Sequence, residues 1–162
     1  MWQYDGVVRE SLVRYKFWHR RSYGRTYGRE LAKKMREWKI SYDVISWVPV
    51  SSLRKISRGY DQVAIIADNM GKQLGQKPVR LLKKCRNNRK QSTIQGIENR
   101  KKNVEGVYRV ANNADIKGKQ VLLLDDIITT GATISEAAAV LKKAGAKEVH
   151  AVCVAVANKY HK

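Results

Sequence analysis

The run Val121-Leu122-Leu123-Leu124-Asp125-Asp126-Ile127-Ile128-Thr129-Thr130-Gly131-Ala132-Thr133 constrains the fold more than any other stretch. Four apolar residues without alternation suit a strand buried on both faces, the pattern of a parallel sheet. A helical pattern follows, so the run reads as strand, short loop and helix. The two carboxylates then fall at the carboxyl end of the strand, where open α/β sheets bind their ligands. Backbone N–H groups from Thr129, Thr130, Gly131, Ala132 and Thr133 can converge there on an anion, with the positive end of the helix dipole behind them. Gly131 admits close backbone approach, and the threonine hydroxyls add donors. Carboxylates repel a bare phosphate. They fit a ligand that also carries hydroxyls or a divalent cation, and a sugar phosphate has both needs.

An apolar strand, two acids, two apolar residues and Thr-Thr-Gly-x-Thr together resemble the 5-phosphoribosyl-1-pyrophosphate (PRPP) motif of type I phosphoribosyltransferases, and the match covers residues 121–133. A second stretch, Ser51-Ser52-Leu53-Arg54-Lys55-Ile56-Ser57-Arg58-Gly59-Tyr60-Asp61-Gln62, sets hydroxyls, backbone N–H groups and three cations after a strand end. It reads by itself as a second anion site. The Val-Pro-Val before it and its Arg-Gly-aromatic-x-Gln resemble the ComF family, which is associated with bacterial DNA uptake and includes proteins similar to amidophosphoribosyltransferases. Tyr60 and Asp61 stand where members often carry Phe and Asn. The resemblance implies that Ser51, Ser52, Arg54, Lys55 and Arg58 meet a pyrophosphate. Asp61 also reads as the N-cap of the following helix, and the two readings are compatible.

A chain of 162 residues suits one domain, and 43% hydrophobic residues suffice for a core. No stretch approaches the roughly 20 apolar residues of a membrane span, and the N-terminus shows no signal-peptide apolar core. Cys85 and Cys153 form no metal spacing, so reduced thiols in a cytoplasmic protein are expected. The net charge of +19, from 33 Lys and Arg against 14 acids, predicts a polyanionic partner: nucleic acid, nucleotide or pyrophosphate. The charge concentrates in the first forty residues and in Lys83 to Lys102. Trp2, Tyr4, Tyr15, Phe17 and Trp18 interleave with the first cluster. Such interleaving suits stacking on single-stranded nucleic acid, or it packs the segment onto the core.

Spacing predicts helices over Gly6 to Phe17, Arg29 to Lys39 and Gln62 to Leu74, the last stopped by Gly75. Ser22 to Gly28 reads as a loop. Strands are predicted over Tyr42 to Val50, Pro78 to Lys84, Val104 to Ala111 (an edge) and Val149 to Ala157. Thr133-Ile134-Ser135-Glu136 has capping-box spacing ahead of a helix that reaches Ala144. Cys85 to Lys102 reads as a polar, basic loop. It resembles the flexible hood loop of the family and carries Arg86, Arg89, Lys90, Gln91 and Arg100. Gln91, Arg100 and Asn103-Val104 match the family's Gln, Arg and Asn-Val, with spacing about one residue longer, as read from the sequence. The fold class expected is therefore α/β: the type I phosphoribosyltransferase fold, a mainly parallel central sheet flanked by helices. Residues 1–42 form a basic helical segment on the core and residues 43–162 the transferase domain.

The resemblance implies a phosphoribosyltransferase acting at the sugar C1 by positioning and electrostatics, with no covalent nucleophile. Asp125 and Asp126 take the catalytic role of orienting the ribose. Mg²⁺ comes with PRPP, held chiefly by its oxygens, with the two acids as candidate further ligands. Many ComF relatives begin with a cysteine-rich zinc module. This chain has none, so no zinc is expected. The alternative is a single-stranded-DNA-binding protein of DNA uptake that uses the fold for binding or regulation. A homodimer or a competence-machinery partner fits either reading.

Overall fold

The computed structural model describes residues 1–18, 20–86, 97–112 and 114–157. Its elements are β1 (Trp2–Gln3), α1 (Gly6–Phe17), α2 (Ser22–Trp38), β2 (Val44–Trp47), α3 (Ser52–Arg58), α4 (Gln62–Leu74), β3 (Leu82–Lys84), α5 (Ile97–Val104), β4 (Tyr108–Val110), β5 (Gln120–Ile128), α6 (Ala132–Lys143) and β6 (Glu148–Val156). Four strands form a parallel sheet in the order β1-β6-β5-β2, and β3 pairs antiparallel with β4 beside it. Short β2 lies against β5 with Val44 opposite Val121 and Trp47 opposite Leu124.

Strand β5 is apolar without alternation because both its faces are covered. Leu122 and Leu124 join the core under α1, α2 and α4, with Leu12, Tyr15, Leu31, Ile66 and Met70. Val121 and Leu123 join the opposite core, with Leu81, Leu82, Val107, Ile134, Ala137 and Leu141. Burying each such aliphatic side chain contributes roughly 1.5–3 kcal/mol. Side chains alternate along a strand. The same alternation therefore directs Asp126 towards the first core's face and Asp125 towards the second.

The structure corrects four local readings. Ser22 to Gly28 is not a loop but the start of α2. Its glycines serve close helix packing: a Cβ on Gly28 would stand 2.6 Å from Asn69 Cβ and 2.7 Å from the Met70 nitrogen. The stretch after β2, read only as an anion site, folds as the short helix α3, N-capped by Ser51. Cys85 to Lys102 is not loop throughout, since α5 begins at Ile97. The spacing of Thr133 to Glu136 builds no capping box. Helix α6 starts at Ala132 after Gly131, without a side-chain cap, and Glu136 instead accepts from the Gly106 backbone N–H at 2.8 Å. The remaining caps match expectation: Asp61 accepts from the Val63 and Ala64 N–H groups at 3.1 Å, and Gly75 ends α4.

Candidate functional site

The site forms where β5 ends. Asp125, Ile127, Ile128, Thr129, Gly131, Ala132, Thr133 and Ile134 line one small pocket at the start of α6. Thus one acid and the phosphate-type loop share a single concavity, as their adjacency in the chain predicts. Gly131 holds φ at 76°, in the left-handed region, which lets the chain turn from β5 into α6. The Thr129–Thr133 segment is partly accessible, whereas both aspartates are buried.

The two acids have different surroundings. Asp126 Oδ2 accepts from Lys16 Nζ at 2.8 Å and from Gln62 Nε2 at 3.2 Å. Burial opposes its charge, but Lys16, Gln62 and Arg58 outweigh that and hold its carboxyl below the usual range. Asp125 accepts from the Asp126 backbone N–H at 2.8 Å. Burial, reinforced by the charge on Asp126, pushes Asp125 well above the usual range. The pair therefore holds its second negative charge at a cost.

Cations surround this pair from several elements. In α3, Arg54 and Arg58 are half-buried, while Ser52 and Lys55 are exposed. Burial lowers the pKa of the Arg58 guanidinium, and its ring partner is Phe17, 5.1 Å away. The Ser51 hydroxyl is committed to capping, accepting from the Arg54 N–H at 3.3 Å. Arg86 donates to the Glu105 carbonyl at 2.6 Å, which anchors it to the turn after α5. Arg89, Lys90 and Gln91 lie outside the described residues, as does the side chain of Arg100.

Sequence reasoning missed three site residues. Lys16 was one base among eleven in the first forty residues, and nothing in its spacing distinguished it. Gln62 was read only as part of a family pattern and a helix start. Lys84 ends β3, with its ammonium 5.6 Å from the Tyr108 ring centroid. Burial, then the charge of Arg54, pushes it down to about 8, while Asp125 pulls the other way.

Among the described residues no group of three or more His, Cys, Asp and Glu gathers. Two adjacent carboxylates, one already paired with a lysine, fit a Mg²⁺ that takes most of its ligands from phosphate oxygens and water. No described helix is long and apolar enough to cross a membrane.

Known proteins share this architecture. The phosphoribosyl transferase domain family matches residues 57–162. Competence protein F of Haemophilus influenzae is 26% identical over 146 residues, covering 85% of this chain and 63% of that protein. Ribose-phosphate pyrophosphokinase 2 of Archaeoglobus fulgidus is 41% identical over 58 residues, or 36% of this chain and 21% of its own length. Among solved structures, the glutamine PRPP amidotransferase from B. subtilis aligns with a TM-score of 0.56 at 25% identity, covering 83% of this chain and 26% of that one. The purine phosphoribosyltransferase from Pyrococcus horikoshii aligns at 0.51 and 26% identity, covering 82% and 72%. The chain thus spans less than two thirds of the two curated relatives' length. With more than half of its residues matched and its parallel sheet aligned on these enzymes, the chain has the type I phosphoribosyltransferase fold and belongs to the phosphoribosyl transferase domain family.

Proposed function

We propose that this chain binds PRPP and acts as a phosphoribosyltransferase. The observation that carries the reading is the single pocket Asp125 shares with the Thr129–Thr133 loop. The loop's N–H groups and hydroxyls hold the 5-phosphate, and Asp125 and Asp126 accept from the ribose hydroxyls. Arg54 and Arg58, half-buried on α3, meet the pyrophosphate, with exposed Lys55 beside them. Mg²⁺ held with PRPP beside Asp125 and Asp126 would supply positive charge to offset that of the leaving group. As the C1–oxygen bond to pyrophosphate breaks and the acceptor's nucleophilic atom bonds to C1 in its place, positive charge develops on the ribose, and the acid pair stabilises it. The similarity to Competence protein F supports the ComF assignment of this reading.

Calorimetric titration with Mg²⁺ and PRPP tests it. Saturable binding is expected, and Asp125→Asn with Asp126→Asn should weaken it by roughly two to four orders of magnitude, at roughly 1.5–3 kcal/mol for each charged hydrogen bond lost. Binding by the wild type that the double variant retains in full would overturn the assignment of the acids; no binding by the wild type would overturn the function.

A specific observation favours a second activity, binding of single-stranded DNA. Phe17 and Trp18 are 53% and 63% exposed, and each lies under a guanidinium, Arg58 and Arg14 respectively. Aromatic faces edged by arginine suit base stacking. Trp18→Ala should weaken salt-sensitive binding of single-stranded oligonucleotides while leaving PRPP titration unchanged; an equal loss of both would break the two-site picture.

A further inference from the structure

The last turn of α1 touches the site at three successive residues. The Tyr15 hydroxyl donates to the Gln62 carbonyl at 2.7 Å, and the Tyr60 hydroxyl donates to the Tyr15 carbonyl. Lys16 pairs with Asp126 at 2.8 Å, and Phe17 lies under Arg58. Tyr15 is wholly buried, so the backbone that carries Lys16 is fixed against the segment joining α3 to α4. Lys16 itself keeps 17% of its side chain exposed. Of its three N–H donors, one satisfies Asp126, and the others are available to a ligand hydroxyl or phosphate. Beside it, Gln62 is 4% exposed and spends its amide N–H on Asp126. Its Oε1 has no hydrogen-bond partner among the described residues. A buried acceptor of this kind costs about 1–3 kcal/mol unless a donor arrives, and a ribose hydroxyl is such a donor.

We infer that Lys16 is a positioning residue of the sugar-phosphate site: α1 delivers its ammonium to Asp126 and, with Gln62, aims that carboxylate at the ribose. The inference rests on the PRPP reading for its ligand, but the claim on Asp126 stands apart from it. The charged and titratable groups that interact with Asp126 are Asp125 on β5, Lys16 and Tyr15 on α1, Tyr27 on α2, Arg58 on α3, Tyr108 on β4 and Cys153 on β6. The N-terminal arm thereby completes a site whose acids and phosphate loop lie more than a hundred residues away in the chain.

Lys16→Met and Lys16→Arg test this on the full chain. The Asp126 carboxyl is followed by carbon NMR against pH, without ligand, and PRPP affinity with Mg²⁺ is measured from pH 5 to 8. In Lys16→Met the Asp126 titration moves upward, and PRPP affinity falls about tenfold at neutral pH and further as pH drops, because the carboxylate takes up a proton. Lys16→Arg keeps Asp126 near its wild-type titration and restores most of the affinity. An unmoved Asp126 titration in Lys16→Met overturns the inference, whatever happens to affinity. So does a loss of affinity that is equal at every pH, which marks general attraction of an anion. If the wild type does not bind PRPP, the proposed function fails, and the NMR titration still decides the role of Lys16.

Discussion

Asp125 and Asp126 are neighbours in the chain and occupy opposite faces of one strand. On the α1–α4 face, Asp126 receives Lys16 and Gln62 and is held as a carboxylate. On the β3–β4 and α6 face, Asp125 borders the pocket and receives the neighbouring backbone N–H, and burial drives it towards its neutral form. A period of two turns a pair of identical residues into one fixed charge and one group whose charge is costly without a ligand. An acid pair built on a central strand can thus be stable on one side and responsive on the other.

The largest effect expected on this contrast comes from Asp126→Asn. It leaves the Lys16 ammonium nearly buried without its counter-charge, so stability should fall by about 3 kcal/mol. That is a drop of roughly 6–12 °C in Tm for a chain of this size, measured by thermal unfolding. A fall under one degree would show that the Lys16–Asp126 pair carries no such weight.

Gly131→Ala comes next. A side chain at positive φ costs roughly 1–2 kcal/mol, and the strain falls on the loop of Asp125's own pocket. PRPP affinity should drop about tenfold at unchanged far-ultraviolet circular dichroism. Wild-type affinity in this variant would mean that the loop does not hold the 5-phosphate.

The smallest effect has the opposite sign. Asp125→Asn removes a group whose folded-state pKa is raised from 3.8. Stability from such a group is complete below the unfolded-state value and is lost as pH rises towards the folded-state value. The variant cannot ionise, so it avoids that loss. Its Tm should exceed the wild type's near neutrality, with the gap growing upward from pH 4. A gap that shrinks as pH rises would refute the asymmetry between the two acids.

Much of this was legible in residues 121–133 because every group of that limb is local: strand, acids, glycine and helix start follow one another. The readings that missed share a cause. Gly24 and Gly28 look like loop residues until α4 is placed against them, where Ile65 and Asn69 leave no room for a Cβ. Glu136 has the spacing of a cap, yet the Gly106 N–H claims it from thirty positions away. The sequence of α3 points to an anion site rather than to a helix, because its basic and hydroxyl residues suggest the first more strongly; Ser51 capping decides the helix.

By itself the sequence determined the parallel strand at the centre, the acid pair at its carboxyl end and the threonine-glycine loop after it. Those follow from apolar periodicity and turn chemistry over a dozen contiguous residues. Only the tertiary structure decided which acid stays charged. That choice depends on Lys16, Gln62 and Arg58, carried to the end of β5 by α1, α4 and α3 from distant positions in the chain. Electrostatics acts through space, and distance along the chain holds no record of it.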